Sequence, residues 1–177
     1  MLFVFPIVRY LVFKAEIRLN KCKIQWLDER RAKVSGVIDE FSSFEELFNK
    51  NQEEIWIDFS EVTRINSSGI REWVQAVLGS TARLHLEKCS AVMVDQFSMI
   101  PEFIGKNGTI ESFFVHYICD SCGHEERELL EVGKDIGGDK TYKEQLEDPC
   151  PSCGHVLELD HNPDIYFAFL KFVKNAS

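Results

Sequence analysis

Ile65-Asn66-Ser67-Ser68-Gly69-Ile70 joins a segment of two-residue periodicity to one of helical periodicity. Before it, Ile55-Trp56-Ile57-Asp58-Phe59-Ser60 places Ile55, Ile57 and Phe59 on one face of an extended chain, the pattern of a half-buried strand. After it, Ile70, Trp73, Val74, Val77 and Leu78 form one apolar helical stripe, with Gly79 as its stop signal. Ser67 and Ser68 therefore stand at a helix start, where side-chain oxygens are expected to cap free backbone N–H groups. A phosphate on such a serine would meet the positive end of the helix dipole.

Toward the N-terminus, Cys22-Lys23-Ile24-Gln25-Trp26 alternates, Asp28-Glu29-Arg30 is polar enough to turn, and Ala32 to Ile38 resumes an extended pattern. A hairpin is expected there. Ser43-Phe44-Glu45-Glu46 has the form of a capping box, with Phe44, Leu47 and Phe48 as the inward stripe of a short helix. Toward the C-terminus, Arg83-Leu84-His85-Leu86 reads as a strand, and Ser90 is placed to cap a helix through Ala91, Met93, Val94 and Phe97 that must end before Pro101. Gly105 and Gly108 bracket a turn, and Thr109 to Tyr117 is β-branched and aromatic enough for one strand. Strands alternating with helices predict an α/β fold, a sheet faced by helices.

The strand, short turn, Asn66-Ser67-Ser68-Gly69 and amphipathic helix resemble the signature of STAS domains, the family of anti-sigma-factor antagonists, stressosome components and sulphate-transporter tails. Val34-Ser35-Gly36-Val37-Ile38-Asp39 is similar to the second-strand motif of that family, and the order of elements matches its plan over roughly residues 20–117. The resemblance implies a STAS-like mixed sheet faced by helices over residues 14–117. It implies Ser68 as the residue phosphorylated by a partner kinase, with Ser67 as the alternative. Asn66, Ser67, Ser68, Gly69 and Arg71 would then contact a serine-kinase anti-sigma factor, and a phosphatase would reverse the modification. The usual turn reads Asp-Ser-Ser/Thr-Gly; Asn66 takes the place of the Asp and removes a carboxylate beside the phosphate position.

Further on the chain departs from that plan. Cys119-Asp120-Ser121-Cys122-Gly123-His124 is followed by Cys150-Pro151-Ser152-Cys153-Gly154-His155. Two such knuckles supply four soft thiolates, and the Gly after each pair permits a tight turn that aims backbone N–H groups at the sulfurs. The spacing predicts a structural zinc site on Cys119, Cys122, Cys150 and Cys153, closed by four cysteines and without an open position for a catalytic water. Disulfides would need an oxidising compartment. His124 and His155 are spare ligand candidates, while Cys22 and Cys89 read as small buried residues. After the second knuckle, Asn162-Pro163-Asp164 is a helix start and Ile165, Tyr166, Phe169, Leu170 and Val173 form an apolar stripe. The expected organisation is an apolar extension over 1–13, the STAS-like unit over 14–117, a zinc-ribbon insertion over 118–161, and a helix over 162–177. That helix either completes the STAS-like unit or packs on the ribbon.

Composition narrows the classes. The net charge of −9 and pI near 5.1 argue against nucleic-acid binding. Residues 119–177 carry thirteen acids against six bases, so a ribbon used as an adaptor would choose protein. The apolar run Met1 to Phe13 is interrupted by Pro6 and Arg9, is too short to span a bilayer and lacks signal-peptide features. It reads as an extra strand or pairing segment, with an interfacial anchor or a misassigned translation start as alternatives. No enzyme is expected, because the serines lack a G-x-S-x-G elbow and no phosphate-binding glycine motif occurs. The expected function is a regulatory protein-binding module switched at Ser68, or a scaffold or adaptor of stressosome or membrane-transport type. Reduced cysteines on zinc point to the bacterial cytoplasm.

Overall fold

The computed structural model describes residues 21–49, 52–136 and 149–173; the apolar extension over 1–13 lies outside the described residues. The chain is mixed α/β. Strands β1 (Cys22–Trp26) and β2 (Arg31–Ile38) form the expected antiparallel hairpin, in register from Cys22↔Gly36 to Trp26↔Ala32. Asp28 closes its turn, with Oδ1 accepting from the N–H groups of Arg30 and Arg31 at 2.8 Å each. Helix α1 (Glu45–Phe48) leads to β3 (Glu54–Ile65), helix α2 (Ser67–Gly79) to β4 (Arg83–Glu87), and helix α3 (Ala91–Met99) with a 3-10 turn (Pro101–Ile104) to β5 (Gly108–Ile110). Each strand lies beside its predecessor, so the sheet order is β1-β2-β3-β4-β5, and every pairing after the first is parallel.

The two faces of this sheet differ because the strand residues alternate. One row, with Ala32, Val34, Ile55, Ile57, Phe59, Leu84 and Leu86, is buried. Trp73 of α2 is fully buried against it, with ring centroids 5.0 Å from Phe44, 5.3 Å from Phe59 and 6.0 Å from Phe103. Its indole N–H, which burial would otherwise leave unpaired, donates to Phe103 O at 2.8 Å. On the other row, Arg31, Trp56 and His85 stand in register across three strands. Trp56 stacks on His85 at 4.4 Å, and Arg31 lies over the same indole while pairing with Glu87 at 2.7 Å.

Three expectations are corrected. The capping box at Ser43 does not form: Phe44 occupies the cap position of the one-turn α1, and Ser42 instead turns its hydroxyl to the N–H of Asp39. Ser90 caps α3 through its backbone, its carbonyl accepting from Met93 and Val94, while its hydroxyl has no partner among the described residues. The single strand expected over Thr109 to Tyr117 is two strands in two sheets, β5 and then β6 (Ser112–Ile118).

Glu111 makes that break. Its N–H donates to Leu86 O at 2.9 Å, in the first sheet, and its carbonyl accepts from Val132 N at 2.8 Å, in the second. The second sheet is antiparallel, in the order β7 (Glu125–Glu131), β6, β8 (Glu158–Leu159). The seam between the sheets runs along Lys88 and Cys89. Lys88 has a left-handed φ of 48° and donates its N–H to Ser112 Oγ, while Cys89 exchanges backbone hydrogen bonds with Ser112 O and Phe114 N.

The C-terminal segment starts as expected, with Asn162 Oδ1 accepting from Asp164 N and Pro163 in the first turn. It is not one helix: a single α-turn, α4 (Pro163–Tyr166), passes into a 3-10 helix (Phe167–Phe172). The change of pitch buries Tyr166, Phe169, Leu170 and Val173 but leaves Ile165 66% exposed. The segment touches both units. Phe169 packs on Phe97 of α3 and on Phe113 of β6, and the Tyr166 hydroxyl donates to Phe114 O at 2.6 Å. No helix of the described residues is long and apolar enough to cross a membrane.

Candidate functional site

Two places carry the residues singled out in the sequence. At the first, β3 ends at Ile65 and Asn66 stays extended, at φ −109° and ψ 171°, before the helix begins. Asn66 is the cap: its Oδ1 accepts from Gly69 N at 2.8 Å and its carbonyl accepts from Ile70 N at 2.9 Å. This corrects the expectation that the serines cap the helix. An amide side chain can cap and donate at once, and Asn66 Nδ2 donates to Glu40 Oε2 at 2.9 Å. Ser67 and Ser68 become the first two helical residues, the former exposed and the latter half-buried, with Arg71 exposed one turn on. Neither serine hydroxyl, and neither serine N–H, has a hydrogen-bond partner among the described residues.

Gly69 is where helix and sheet touch. A Cβ there would overlap Ile38 O and sit 2.8 Å from Asp39 N, so the close approach admits only glycine. The same Ile38 carbonyl accepts from Asn66 N at 3.1 Å. The serine turn is thus pressed against the end of β2. The following loop brings Glu40 to Asn66, and the next residue, Phe41, is 44% exposed. Glu40 and Phe41 were not singled out in the sequence; the one signal was their place directly after the second-strand motif.

At the second place, the end of β6 and the loop before β8 supply two turns with the same backbone bonds. Cys119 N donates to His124 O at 2.8 Å and Gly123 N to Cys119 O at 2.7 Å; Cys150 N donates to His155 O at 2.6 Å and Gly154 N to Cys150 O at 2.8 Å. Gly123 and Gly154 have φ of 72° and 77°, which glycine adopts without a steric penalty. All four Sγ atoms lie within 4.8 Å of one another, with Cys119 to Cys153 at 3.5 Å and Cys122 to Cys150 at 3.6 Å. A disulfide needs about 2.05 Å. Four sulfurs about 2.3 Å from a central ion have tetrahedral edges of about 3.8 Å, so this cluster can hold a metal ion.

Hydrogen bonds from Ser152 N and Cys153 N outweigh burial at Cys150 and hold its thiol down to about 6. Against a hydrogen bond from His155 N, burial and the neighbouring sulfurs push Cys153 up to about 12. A cation supplies the missing stabilisation for the last thiolate. The spare histidines stay outside the cluster: His124 Nδ1 pairs with Ser152 Oγ at 3.2 Å and His155 is exposed. Cys22 and Cys89 are buried, as their sequence context predicts. A surface cavity of about 440 Å³ at the hairpin turn, lined by Asp28, Glu29, Arg30, Arg31 and Trp56, shares no residue with either place. No family model, no curated protein and no solved structure matches this chain.

Proposed function

We propose that this protein is a non-enzymatic regulatory module that binds a protein partner through the turn at Asn66, Ser67, Ser68, Gly69 and Arg71, is switched by phosphorylation of Ser68, and carries a structural zinc ion on its four clustered cysteines. One observation carries the switch. Because Asn66 takes over the cap, the Ser68 hydroxyl and the first two helical N–H groups have no partner to give up among the described residues. A phosphate added there meets free donors at the helix start rather than breaking the turn. The order of elements, hairpin, helix, strand, serine-bearing helix, strand, helix, strand, supports a STAS-like reading of the first sheet.

The partners under this reading are a serine-kinase anti-sigma factor and a phosphatase. The kinase moves the γ-phosphoryl group of a nucleoside triphosphate to Ser68 Oγ, the hydroxyl proton is released and the diphosphate leaves. A doubly charged group in a packed interface weakens binding by about 3 kcal/mol, about a hundredfold in affinity. Zinc is favoured by an all-thiolate donor set of tetrahedral dimensions, and reduced thiols on a metal suit the cytoplasm. A second reading, a scaffold or adaptor that binds partners without phosphorylation, is favoured by the exposed acidic strand β7, with Glu125, Glu126, Glu128 and Glu131.

Affinity capture from the native cell tests the choice, using wild-type protein and Ser68→Glu as baits. A serine kinase or phosphatase retained by wild type and lost with Ser68→Glu is expected. Identical partners on both baits overturn the switch and leave the adaptor. Elemental analysis of the purified chain is expected to give one zinc per molecule.

A further inference from the structure

β7 is an edge strand, bonded along one side only. Its register with β6 runs without a shift from Ser112↔Glu131 to Ile118↔Glu125, and Val132 N donates to Glu111 O at 2.8 Å. Antiparallel bonds alternate along a strand, so Glu126, Glu128 and Leu130 turn their N–H and C=O groups toward β6, while Glu125, Arg127, Leu129 and Glu131 turn theirs away. The far side of β6 agrees: Ser112 O and Phe114 N bond Cys89 there, and His116 O accepts from Asp160 N. Glu131 satisfies its outward groups within the chain, its N–H donating to Asp135 Oδ2 and its carbonyl accepting from Lys134 N and Asp135 N. Those of Glu125, Arg127 and Leu129 have no partner among the described residues. Natural sheets blunt such an edge by shortening it, bending it with a bulge or placing proline in it. None of these devices is present in the seven residues of β7.

We propose that the β7 edge takes up an extended segment of a partner protein as a further strand, and that this segment carries lysine or arginine at alternate positions. Backbone bonds give the contact and charge selects the occupant. Glu126 and Glu128 lie on one face of the sheet, and neither is paired with a lysine or arginine among the described residues: Glu128 accepts from the Tyr117 hydroxyl at 3.2 Å, and Glu126 Oε2 lies 4.0 Å from His124 Nε2. The one cation of the strand, Arg127, belongs to the other face, over the Phe114 ring at 3.9 Å. Two basic residues two apart on the added strand would stand across from Glu126 and Glu128, as cross-strand pairs of opposite charge. The residues between them fall on the side of Leu129, which is 36% exposed, and an apolar side chain suits that position. The same rule disfavours a second copy of this chain. Antiparallel self-pairing centred on Glu126, Arg127 or Glu128 sets that charged residue against its own copy. The glutamates thus close the edge to itself and leave it open to a basic strand. This rests on the adaptor reading of β7 and is independent of Ser68.

The test follows NMR shifts and amide hydrogen exchange of the full chain as a heptapeptide of alternating lysine and valine is added. At saturation the N–H groups of Glu125, Arg127 and Leu129 are expected to gain about tenfold protection, whereas those of Glu126, Glu128 and Leu130, already bonded to β6, stay as they were. A heptapeptide with glutamate in place of lysine is expected to bind about tenfold more weakly. Leu129→Pro removes an outward N–H without touching the bonds to β6, and is expected to abolish the added protection. Glu126→Lys alters no backbone bond and is expected to weaken binding of the lysine peptide about tenfold. No added protection at the three outward amides overturns the proposal, as does equal affinity for the two peptides. Protection that rises with protein concentration alone makes the occupant a second copy and also overturns it. These outcomes are separable from failure of the adaptor reading: β7 resonances that shift with the lysine peptide while the outward amides stay unprotected keep β7 as a docking surface and remove the added strand. No shift on β7 removes both.

Discussion

In the five-stranded sheet, Trp73 lies among Phe44, Phe59 and Phe103 and the inward rows of three successive strands are buried, so water-free contact holds the unit together. In the three-stranded sheet, β7 buries Leu130 alone of its seven residues and β8 is two residues long. Most of the buried apolar side chains of that sheet are on β6, with Phe113, Phe114, Val115 and Tyr117. Beyond it stand the two cysteine turns, held by backbone bonds, with Cys119, Cys150 and Leu157 as their few buried residues and the four sulfurs clustered. A small loop-rich segment cannot offset its chain entropy with so little apolar burial. One half of the molecule is therefore stabilised by packing, and the outer part of the other has a four-sulfur cluster able to hold a metal ion in its place.

Under the proposed zinc site, removing the metal gives the largest effect. Structural zinc binding in small peptides is worth about 10–16 kcal/mol, so chelation or Cys150→Ser is expected to abolish hydrogen-exchange protection at Cys119 N and Cys150 N while the Trp73 indole stays protected. Loss of protection in both sheets together would erase the contrast. Trp73→Ala comes next: it opens a cavity and orphans the Phe103 carbonyl, and is expected to cost about 4 kcal/mol in urea unfolding. A loss below about 1 kcal/mol would mean that the first sheet is not held by its aromatic centre.

The smallest effect concerns the seam. Asp58 is buried on β3, which by itself would raise its carboxyl, yet hydrogen bonds from Ser60 and the Lys88 ammonium at 3.0 Å hold it below the ordinary value of 3.8. A depressed folded-state value means that the carboxylate stabilises the fold fully above pH ~4, and that this contribution is lost as the pH falls through the folded value. Asp58→Asn is expected to lower stability at pH 7 by about 2 kcal/mol and to flatten the acid limb of stability against pH. An acid limb identical in both proteins would remove Asp58 from the seam.

Where one period dominated, the sequence was legible. The stripe through Ile70, Trp73, Val74 and Val77 and the alternation at Ile55 to Phe59 each fixed an element and its buried face, whereas Leu78, assigned to the same stripe, is 58% exposed. The cysteine cluster was legible because spacing alone brings four identical ligands to two tight turns. The sheet change at Glu111 was not, since Thr109 to Tyr117 is uniformly strand-forming and the break consists of two backbone bonds pointing to different sheets. Capping failed for a related reason. Ser43, Ser67 and Ser68 all qualify by type, and only the tertiary contacts of Ser42 and Asn66 decide which side chain turns to the backbone. Likewise Ile165 fits the apolar stripe of a continuous helix but falls off it once the pitch tightens after Tyr166.

The four sulfurs are not equivalent toward solvent. Cys119 and Cys150, first in each turn, are buried, whereas Cys122 and Cys153 are exposed. An ion held among them faces protein on one side and water on the other. Any competing ligand, whether a chelator, a small thiol or an oxidant, must approach through the exposed pair, so exchange starts at Cys122 and Cys153. The buried pair then acts as the retaining half, which sets the order in which the bonds to the ion are broken and remade.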